Sequence, residues 1–293
     1  MNKQSNLPEL EDWQAVMTWP RSIIYPDAYD GGETLALHWD LGAVPDNEKK
    51  KVIQIWSAKL PELTNVRRLN LWTHVTQPVF DAACKMPALE HLQIKWSNLK
   101  SLRGIEQLQN LRRLNIGSSA KIESLDPLRK LSQLKVLDIE NFKLISDFSP
   151  LLDLTTLESL SVTGSMWSRQ NLGSIEPFTE MTWLKSLCID TSHIASIKAL
   201  ASLKGLQYLG VGGRLPMEEY AWLSAKLPNT QCKWFFPYLN FSALGAGPCE
   251  KCKTGSKLML TGKGARVLCE VCDKAKIEKY EASFVAAKAA AFD

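Results

Sequence analysis

The sequence of 293 residues lacks the features that mark a membrane-spanning or exported protein. It has no run of 18 apolar residues, and the nearest candidate, SFVAAKAAAF, is short and contains Lys288. The N-terminus has no apolar segment typical of a secretory signal, and three of its first twelve residues are acidic. We therefore expect no membrane contact and a cytoplasmic location, where cysteines remain thiols or bind metal.

Strong charge and catalytic motifs are also scarce. A net charge of +4 gives no strong electrostatic case for binding DNA, RNA or a membrane surface. The chain has no glycine-rich phosphate loop, no nucleophile motif of the hydrolase kind and no histidine-based metal motif. Asp138 and Glu140 share one face of a predicted strand, but nothing supplies a companion acid, base or substrate pocket. These absences favour a binding protein over an enzyme.

What the chain has in quantity is leucine at a regular interval. A Leu-x-(Leu/Ile/Val) pair recurs in seven units, and successive pairs begin 23, 22, 23, 23, 27 and 22 residues apart. The pairs are Leu69/Leu71, Leu92/Ile94, Leu114/Ile116, Leu137/Ile139, Leu160/Val162, Leu187/Ile189 and Leu209/Val211. Alternation predicts a short strand in each unit, and the apolar residues that follow at intervals of three predict tight turns. Because one unit cannot bury its own leucines, the pattern predicts units stacked against one another.

These units resemble a leucine-rich repeat protein over roughly residues 63–213, and LISDFSPLLDLTTLESLSV (144–162) is similar to the bacterial internalin-type repeat. The resemblance implies an α/β solenoid, with a curved parallel sheet on the concave face and short helical or 3-10 turns on the convex face. The family usually has asparagine five residues after the first strand leucine, where its side chain bonds neighbouring backbone. Here that position holds His74, Ser97, Ser119, Phe142, Ser165, Ser192 and Arg214. Serine can form part of such a ladder but Phe142 cannot, so we expect an irregular turn at Phe142.

Helical segments are expected to cover both ends of the stack, because an end unit otherwise exposes the core. The segment 46–63 has apolar residues close to one helical stripe behind Asp46 as a possible N-cap, and the segment 216–236 has a similar pattern. Trp13, Trp19 and Trp39 indicate that the region before Asp46 is folded, without indicating its topology. The predicted divisions are an N-terminal cap region (1–62), repeats (63–213), a C-terminal repeat or cap (214–240), a cysteine-rich module (247–275) and a terminal helix (276–293).

The differences in unit length indicate a binding edge. The extra residues of the longest unit lie between Thr163 and Asn171, directly after the strand. Insertions on one edge of a repeat protein often mark the edge that binds. This insertion contains Trp167 and Arg169, and both residue types are enriched in interface hot spots. The alternative is that Trp167 folds back over the stack, since most tryptophans are largely buried.

The concave face is the second candidate surface. Because side chains alternate along a strand, the residues beside the leucines should line this face. Tryptophans among charged residues favour contact with a partner, whereas the alternative is that the face is polar only because it is solvated. The predicted partner-binding residues on the two surfaces are Arg68, Trp72, His91, Lys95, Trp96, Arg113, Glu140, Trp167, Arg169 and Tyr208.

Two cysteine pairs near the C-terminus have the spacing of a metal site. Cys249 and Cys252 are followed by sixteen residues and then by Cys269 and Cys272, a pattern within the range of four-cysteine zinc sites. SKLML and ARVL flank a glycine-containing turn and predict a hairpin that returns the second pair to the first. Four thiolates suit one tetrahedral Zn²⁺ with no open position, which is a structural site. The stretch resembles a zinc ribbon, although Gly does not directly follow Cys252 as it commonly does in that family.

Other uses of these cysteines fit less well. Two disulfides need an oxidising compartment, and a thioredoxin-like motif needs a single pair in a βαβ setting. A ribbon of this size depends on metal for its stability, because it buries too little surface. Its basic residues could contact phosphates, but Glu250, Glu270 and Asp273 dilute their charge. The sequence therefore predicts a leucine-rich repeat adaptor that binds a protein and holds one structural zinc. The alternative is a nucleic-acid-associated protein that contacts DNA or RNA through the ribbon.

Overall fold

A parallel sheet built from the leucine units dominates the computed structural model, which describes residues 14–264 and 266–292. The first thirteen residues of the predicted N-terminal cap region, Trp13 among them, lie outside the described residues. Strands β1 to β8 form one eight-stranded sheet in chain order. They are β1 (Thr34–Leu37), β2 (Arg68–Val75), β3 (His91–Ser97), β4 (Arg113–Gly117), β5 (Val136–Glu140), β6 (Ser159–Thr163), β7 (Ser186–Ile189) and β8 (Tyr208–Gly210). The predicted leucine-rich repeat solenoid is confirmed.

Short helical segments connect the strands, and the apolar residues that recur at intervals of three lie in them and in the turns beside them. They are α2 (Gln77–Ala83), α3 (Glu176–Glu180) and 3-10 turns at Ile105–Gln107, Asp126–Lys130, Ser149–Asp153 and Lys198–Ser202. A 3-10 turn has three residues per turn, so this spacing keeps one side directed into the core. Leu99, Leu102 and Ile105 are accordingly fully buried in one unit.

The chain divides into two compact units. The N-terminal unit runs to Ile145 and includes Asp153–Ser161, and the C-terminal unit comprises Ser146–Leu152 and the chain from Val162 onward. In the N-terminal unit the first strand leucines pair in register across β2 to β5, and each is at most 1% exposed. In the C-terminal unit the rings of Phe148 and Phe178 pack with their centroids 5.6 Å apart. Stacked side chains of this kind stabilise the units as the repeat pattern predicts.

In the predicted N-terminal cap region, α1 (Asp46–Lys59) follows β1 and packs against α2. Val52 and Trp56 of α1 are buried, and the Trp56 indole donates a 2.7 Å hydrogen bond to the carbonyl of Ile24. The proposed capping role of Asp46 is wrong, because Asp46 is the first helical residue after Pro45 and pairs with Lys49 at 2.9 Å. An acidic residue in the first turn still complements the helix dipole.

The C-terminal region adds a helix, a small sheet and a second helix to the last repeat. Tyr220 and Leu223 of α4 (Met217–Lys226) are buried, as expected of a cap. Strands β10 (Lys257–Leu260) and β11 (Val267–Cys269) form the predicted hairpin, and β9 (Tyr238–Asn240) pairs antiparallel with β10 as a third strand. The terminal helix is α5 (Lys274–Ala289). Among the residues described, no helix combines the length and apolarity needed to cross a bilayer.

The buried position after the strand differs from the sequence-based expectation in four units, and in the last of them Arg214 is exposed. Ser97 and Ser119 occupy it as predicted and share a 2.7 Å hydroxyl hydrogen bond. In the first unit β2 is irregular between Trp72 and Val75, so Val75 pairs with Ser97 and His74 is exposed. In the insertion and the unit after it, Gln170 and Thr191 are buried in place of Ser165 and Ser192. Phe142 is fully buried, which an apolar ring achieves by packing rather than by hydrogen bonding.

Candidate binding surfaces and metal centre

The concave face of the N-terminal unit carries a row of basic side chains. Arg68, His91 and Arg113 occupy the same register position on β2, β3 and β4, so strand pairing brings these three predicted residues together. Burial lowers the pKa of His91, and the neighbouring charge of Arg113 lowers it further. The imidazole is therefore neutral near pH 7, and the two guanidinium groups supply the charge of this row.

Lys95 and Glu140 bind each other in the same unit. The Lys95 ammonium lies 2.7 Å from a carboxylate oxygen of Glu140, and it reaches that partner over Gly117. A Cβ atom at Gly117 would lie 2.9 Å from Cδ of Lys95, so the missing side chain opens the path of the ion pair. Both side chains remain about a third exposed, at 35% and 27%. A partner that contacts this pair meets a neutralised charge rather than a free cation.

Two exposed tryptophans accompany these charges. Trp72 is 51% exposed and Trp96 is 37% exposed. Trp96 has a left-handed backbone (φ 63°), and Ser118 and Asn141 share this conformation at the corresponding point of the next two units. The conformation therefore belongs to the repeat turn and not to Trp96 alone. The segment before β1 also reaches this face, since the Trp19 indole donates a 3.1 Å hydrogen bond to the side chain of Gln93.

The insertion of the C-terminal unit projects an aromatic side chain into solvent. Trp167 is 90% exposed and its neighbour Met166 is 88% exposed, so the alternative in which Trp167 folds back over the stack is wrong. The Ser165 hydroxyl accepts hydrogen bonds from the backbone N–H groups of Trp167 (3.3 Å) and Ser168 (3.1 Å). These bonds form a local turn that holds the tip of the insertion.

The base of the insertion is anchored to β7 and its following turn. The Asp190 carboxylate accepts a 3.0 Å hydrogen bond from the backbone N–H of Gln170, and it also accepts bonds from the N–H and hydroxyl of Ser192. Burial alone would raise the pKa of Asp190, but these hydrogen bonds outweigh burial and lower it. A Cβ atom at Gly164 would collide with the carbonyl of Ser168, so glycine permits the tight closure of the loop. The hydrogen bonds to Asp190 therefore fix the base of the insertion, while its tip stays exposed.

Arg169 and Tyr208, the two remaining predicted partner-binding residues, meet at one cavity of the C-terminal unit. This cavity has a volume of about 350 Å³ and is also lined by Asp190, Arg214 and Lys233. No sequence pattern marked Lys233 as a site residue. Arg214 was marked only because it stands five residues after the first strand leucine of its unit, where the family usually has asparagine. No spacing signal links residues that come from three different turns.

The four predicted metal ligands converge. The sulfurs of Cys249, Cys252, Cys269 and Cys272 all lie within 4.8 Å of one another, and those of Cys252 and Cys269 are 3.6 Å apart. Zn–S bonds of about 2.3 Å in a tetrahedral site place sulfurs about 3.8 Å apart. The arrangement of the four thiols is therefore compatible with a tetrahedral metal ion.

Each cysteine pair forms a turn that directs backbone N–H groups at sulfur. The N–H of Gly255 points at Cys252 Sγ (3.3 Å) and the N–H of Cys272 points at Cys269 Sγ (3.4 Å). Such N–H groups stabilise thiolates, and those of Thr254 and Gly255 lower the pKa of Cys252 to about 6. The two turns are held together by the pairing of β10 with β11, in which Lys257 faces Cys269.

The electrostatics of the cluster favour a bound cation. The pKa of Cys249 is lowered by the backbone N–H groups of Cys252 and Lys251. The pKa of Cys272, in contrast, is raised to about 12, first through its contact with Cys252 and then through burial and the other thiols. Neighbouring thiolates repel one another, so Cys272 keeps its proton unless a positive charge lies between the sulfurs. A divalent metal ion supplies that charge and makes all four thiolates available as ligands.

Gly255 is a residue of this centre that the spacing argument did not assign to it. A Cβ atom there would lie 2.5 Å from Cys269 Sγ and 3.0 Å from Val271 Cγ2. Its position three residues after Cys252 was the available signal, because a knuckle turn needs a small residue where the backbone passes the second sulfur pair.

The hairpin of the four-cysteine cluster packs against the start of α4 and against α5 within the same compact unit. The N–H of Lys263 donates a 2.7 Å hydrogen bond to the carbonyl of Leu215, and the Thr261 hydroxyl donates a 2.6 Å bond to the carbonyl of Phe236. Tyr280 of α5 donates its hydroxyl to the carbonyl of Thr261. A Cβ atom at Gly262 would lie 2.8 Å from the backbone nitrogen of Met217 in α4. The ribbon and the cap are therefore in close contact, so that disruption of one exposes the other.

The fold and its sites define a leucine-rich repeat solenoid with a C-terminal four-cysteine cluster. A family model described as Leucine Rich repeats (2 copies) matches residues 109–153. No curated protein has a significant match to the chain.

Three solved structures of bacterial proteins are similar to part of the chain. An internalin (inlF) of Listeria monocytogenes has 22% identity and a TM-score of 0.48 over 58% of this chain and 48% of that one. An internalin C2 of the same species has 19% identity and a TM-score of 0.44 over 59% of this chain and 71% of that one. A leucine-rich repeat protein of Leptospira interrogans has 20% identity and a TM-score of 0.40 over 59% of this chain and 55% of that one. The chain thus aligns with about half the length of the first of them.

Proposed function

We propose that this protein is a cytoplasmic adaptor of bacterial type that captures a protein partner and contains one structural zinc ion. The observation that carries the proposal is the insertion tip, where Trp167 is 90% exposed on a base anchored by Asp190. Met166 and Trp167 expose adjoining apolar side chains at this tip, and contiguous exposed apolar surface is typical of an interaction site. The proposal assigns no catalytic activity to the chain.

The proposed partner-binding residues form a separate set in each compact unit. In the N-terminal unit it comprises Arg68, Trp72, His91, Lys95, Trp96, Arg113 and Glu140, and in the C-terminal unit it comprises Trp167, Arg169 and Tyr208. Aromatic and arginine side chains predominate, and they are the types that carry most of the binding energy in interfaces. We expect the exposed tryptophans to contribute more than the Lys95–Glu140 pair, because that pair already satisfies its charges internally.

Nucleic-acid binding through the ribbon is the second candidate. Its support is a group of exposed cations at Lys251, Lys253, Lys263 and Arg266. Lys257, a fifth cation, is paired with Glu250 at 3.0 Å. Affinity for phosphates depends on clustered positive charge, so this pairing weakens the candidate.

Affinity capture with the full chain distinguishes the two functions. Tagged protein is incubated with bacterial lysate that has been treated with nuclease or left untreated, and the captured proteins are identified by mass spectrometry. A protein partner should be recovered equally in both samples. Recovery that disappears after nuclease treatment would instead support nucleic-acid association.

We propose that the four cysteines hold the zinc and that their role is structural. With four protein ligands, a tetrahedral ion has no open position for a substrate. The ion would fold the short hairpin that packs against the cap. Elemental analysis of the purified chain should find one zinc ion per molecule.

Gly255→Ala should weaken zinc binding without removing a ligand. Its added methyl group would lie 2.5 Å from Cys269 Sγ, so one sulfur must move from its position in the cluster. Changes next to metal ligands typically reduce affinity by about 10–100-fold. Competition with a chromophoric chelator measures the effect. Gly205→Ala is the control, because a Cβ atom there meets nothing closer than 3.7 Å, and equal affinity of the two variants would contradict the predicted clash.

A further inference from the structure

The cavity of the C-terminal unit is built by groups that pack independently of any ligand. Its volume of about 350 Å³ lies at the lower end of the range of ligand pockets. The Trp234 indole donates a 2.8 Å hydrogen bond to the carbonyl of Val211 and thereby fixes the turn after β8. A Cβ atom at Gly210 would lie 2.6 Å from Cys188 Sγ, and one at Gly213 would lie 2.5 Å from the Trp234 ring. Glycine at these two positions keeps the backbone close to its neighbours.

The charge of the cavity is positive. Arg169, Arg214 and Lys233 line it together with a single carboxylate, that of Asp190. Both oxygens of Asp190 already accept hydrogen bonds, one from Gln170 and the other from Ser192. The Asp190 carboxylate holds the base of the insertion through these bonds. The three cations of the cavity still outnumber this one negative charge. A low-dielectric wall strengthens the attraction of such a group for an anion.

The cations differ in position and in chemistry. Arg169 ends the insertion, Arg214 follows β8, and Lys233 lies with its ammonium 5.0 Å from the centroid of the Trp234 ring. Tyr208, which is 43% exposed, adds an aromatic wall. Guanidinium groups bind carboxylates through paired hydrogen bonds, and an aromatic wall accommodates the aliphatic part of the same side chain.

We propose that this cavity receives a carboxylate side chain from an acidic segment of the protein partner, an assignment that rests on the proposed function. A cavity of about 350 Å³ accommodates one or two side chains. Its cations surround one site and do not form the extended track that a nucleic-acid backbone requires. Because Arg169 belongs both to the insertion and to the cavity wall, a partner seated on Trp167 would place its adjoining residues over this site.

Fluorescence anisotropy with the full zinc-loaded chain tests the proposal. The probes are a labelled short peptide in which Glu alternates with Gly, the same peptide with Gln in place of Glu, and an oligothymidylate of equal length. The Glu peptide should bind more tightly than both others. Arg214→Glu combined with Lys233→Glu should weaken its binding at least about tenfold, because like charges then oppose the carboxylate.

Lys279→Glu is the control for a charge reversal outside the cavity, since this exposed lysine lies on α5 and does not line the cavity. It changes the net charge of the chain while leaving the site intact, so peptide affinity should stay within about twofold. Should the double charge reversal unfold the chain, Arg214→Gln decides in its place and should also weaken Glu-peptide binding. Four results would each overturn the proposal. They are an equal loss of peptide affinity in Lys279→Glu, no preference for the Glu peptide over the Gln peptide, unchanged peptide binding by the cavity variants, and tighter binding of the oligothymidylate.

Partner capture from lysate with the same variants distinguishes failure of the carboxylate site from failure of the proposed adaptor function. Loss of the partner from Trp167→Ala, but not from the cavity variants, would leave the adaptor function intact and overturn the carboxylate site. Loss of the partner from Trp167→Ala and from the cavity variants would support both the adaptor function and the carboxylate site. Retention of the partner by Trp167→Ala and by the cavity variants, with no acidic-peptide binding, would overturn the carboxylate site and place the partner surface elsewhere.

Discussion

Cys269→Ser should abolish the proposed zinc binding and unfold the C-terminal sheet of this protein. Cys269 Sγ lies 3.6 Å from Cys252 Sγ and accepts the N–H of Cys272, so it belongs to both halves of the cluster. Structural zinc contributes about 10–16 kcal/mol in small peptides, and a sheet of three short strands cannot replace that amount by burial. Elemental analysis should find one zinc ion per chain in the unmodified protein and none in Cys269→Ser. Protease should then cut between β9 and α5.

The effect should extend into the C-terminal cap, which is more than the sequence alone predicts. The hydrogen bond from Lys263 to Leu215 and the close approach of Gly262 to Met217 connect the sheet to the start of α4. Loss of the sheet removes this cover, so hydrogen exchange should accelerate in α4 as well as in β9 to β11. The N-terminal unit should keep its protection, because its leucines are buried by its own strands.

Cys188→Ser is the control for this experiment. Cys188 lies on the wall of the cavity, away from the cluster, and its replacement should retain one zinc per chain. A Cys269→Ser protein that lacks metal but keeps a protease-resistant C-terminus would contradict the proposed structural role. Protection of α4 after metal loss would show instead that the ribbon is a separate module.

Trp167→Ala should abolish most partner capture while leaving the stability of the chain unchanged. The side chain is 90% exposed, so its removal creates no cavity in the core. A tryptophan at the centre of an interface contributes about 2 kcal/mol or more, which corresponds to roughly a thirtyfold loss of affinity. Thermal unfolding of the purified variant and titration with the captured partner measure the two quantities separately.

Two comparisons sharpen this experiment. Met166→Ala truncates a neighbour that is 88% exposed, so a smaller loss there would assign the effect to the indole and not to any change at the loop tip. Trp72→Ala with Trp96→Ala removes side chains that are only 51% and 37% exposed, and should therefore reduce stability as well as binding. Normal partner affinity of Trp167→Ala would place the partner surface elsewhere.

The sequence by itself determined the repeated elements and the convergence of the four cysteines. Leucines two residues apart can share a core only on one face of a strand, so the burial of Leu69, Leu92 and Leu114 follows from spacing. The two C-x2-C pairs likewise predicted convergence, because a hairpin of the observed kind returns one pair to the other. These are local patterns, and each repeats or pairs within a short stretch of chain.

Tertiary structure decided the environment of the side chains other than the repeat leucines and the four cysteines. Lys95 meets Glu140 from two strands away, β9 joins a sheet whose other strands follow it by more than a dozen residues, and Arg169, Arg214 and Lys233 surround one cavity. The exposure of Trp167 depended on Asp190, which holds the base of the insertion so that its tip is directed away from the stack. Periodicity specifies which face of an element is buried, but these contacts join separate turns. Their distances exist only once the units are stacked.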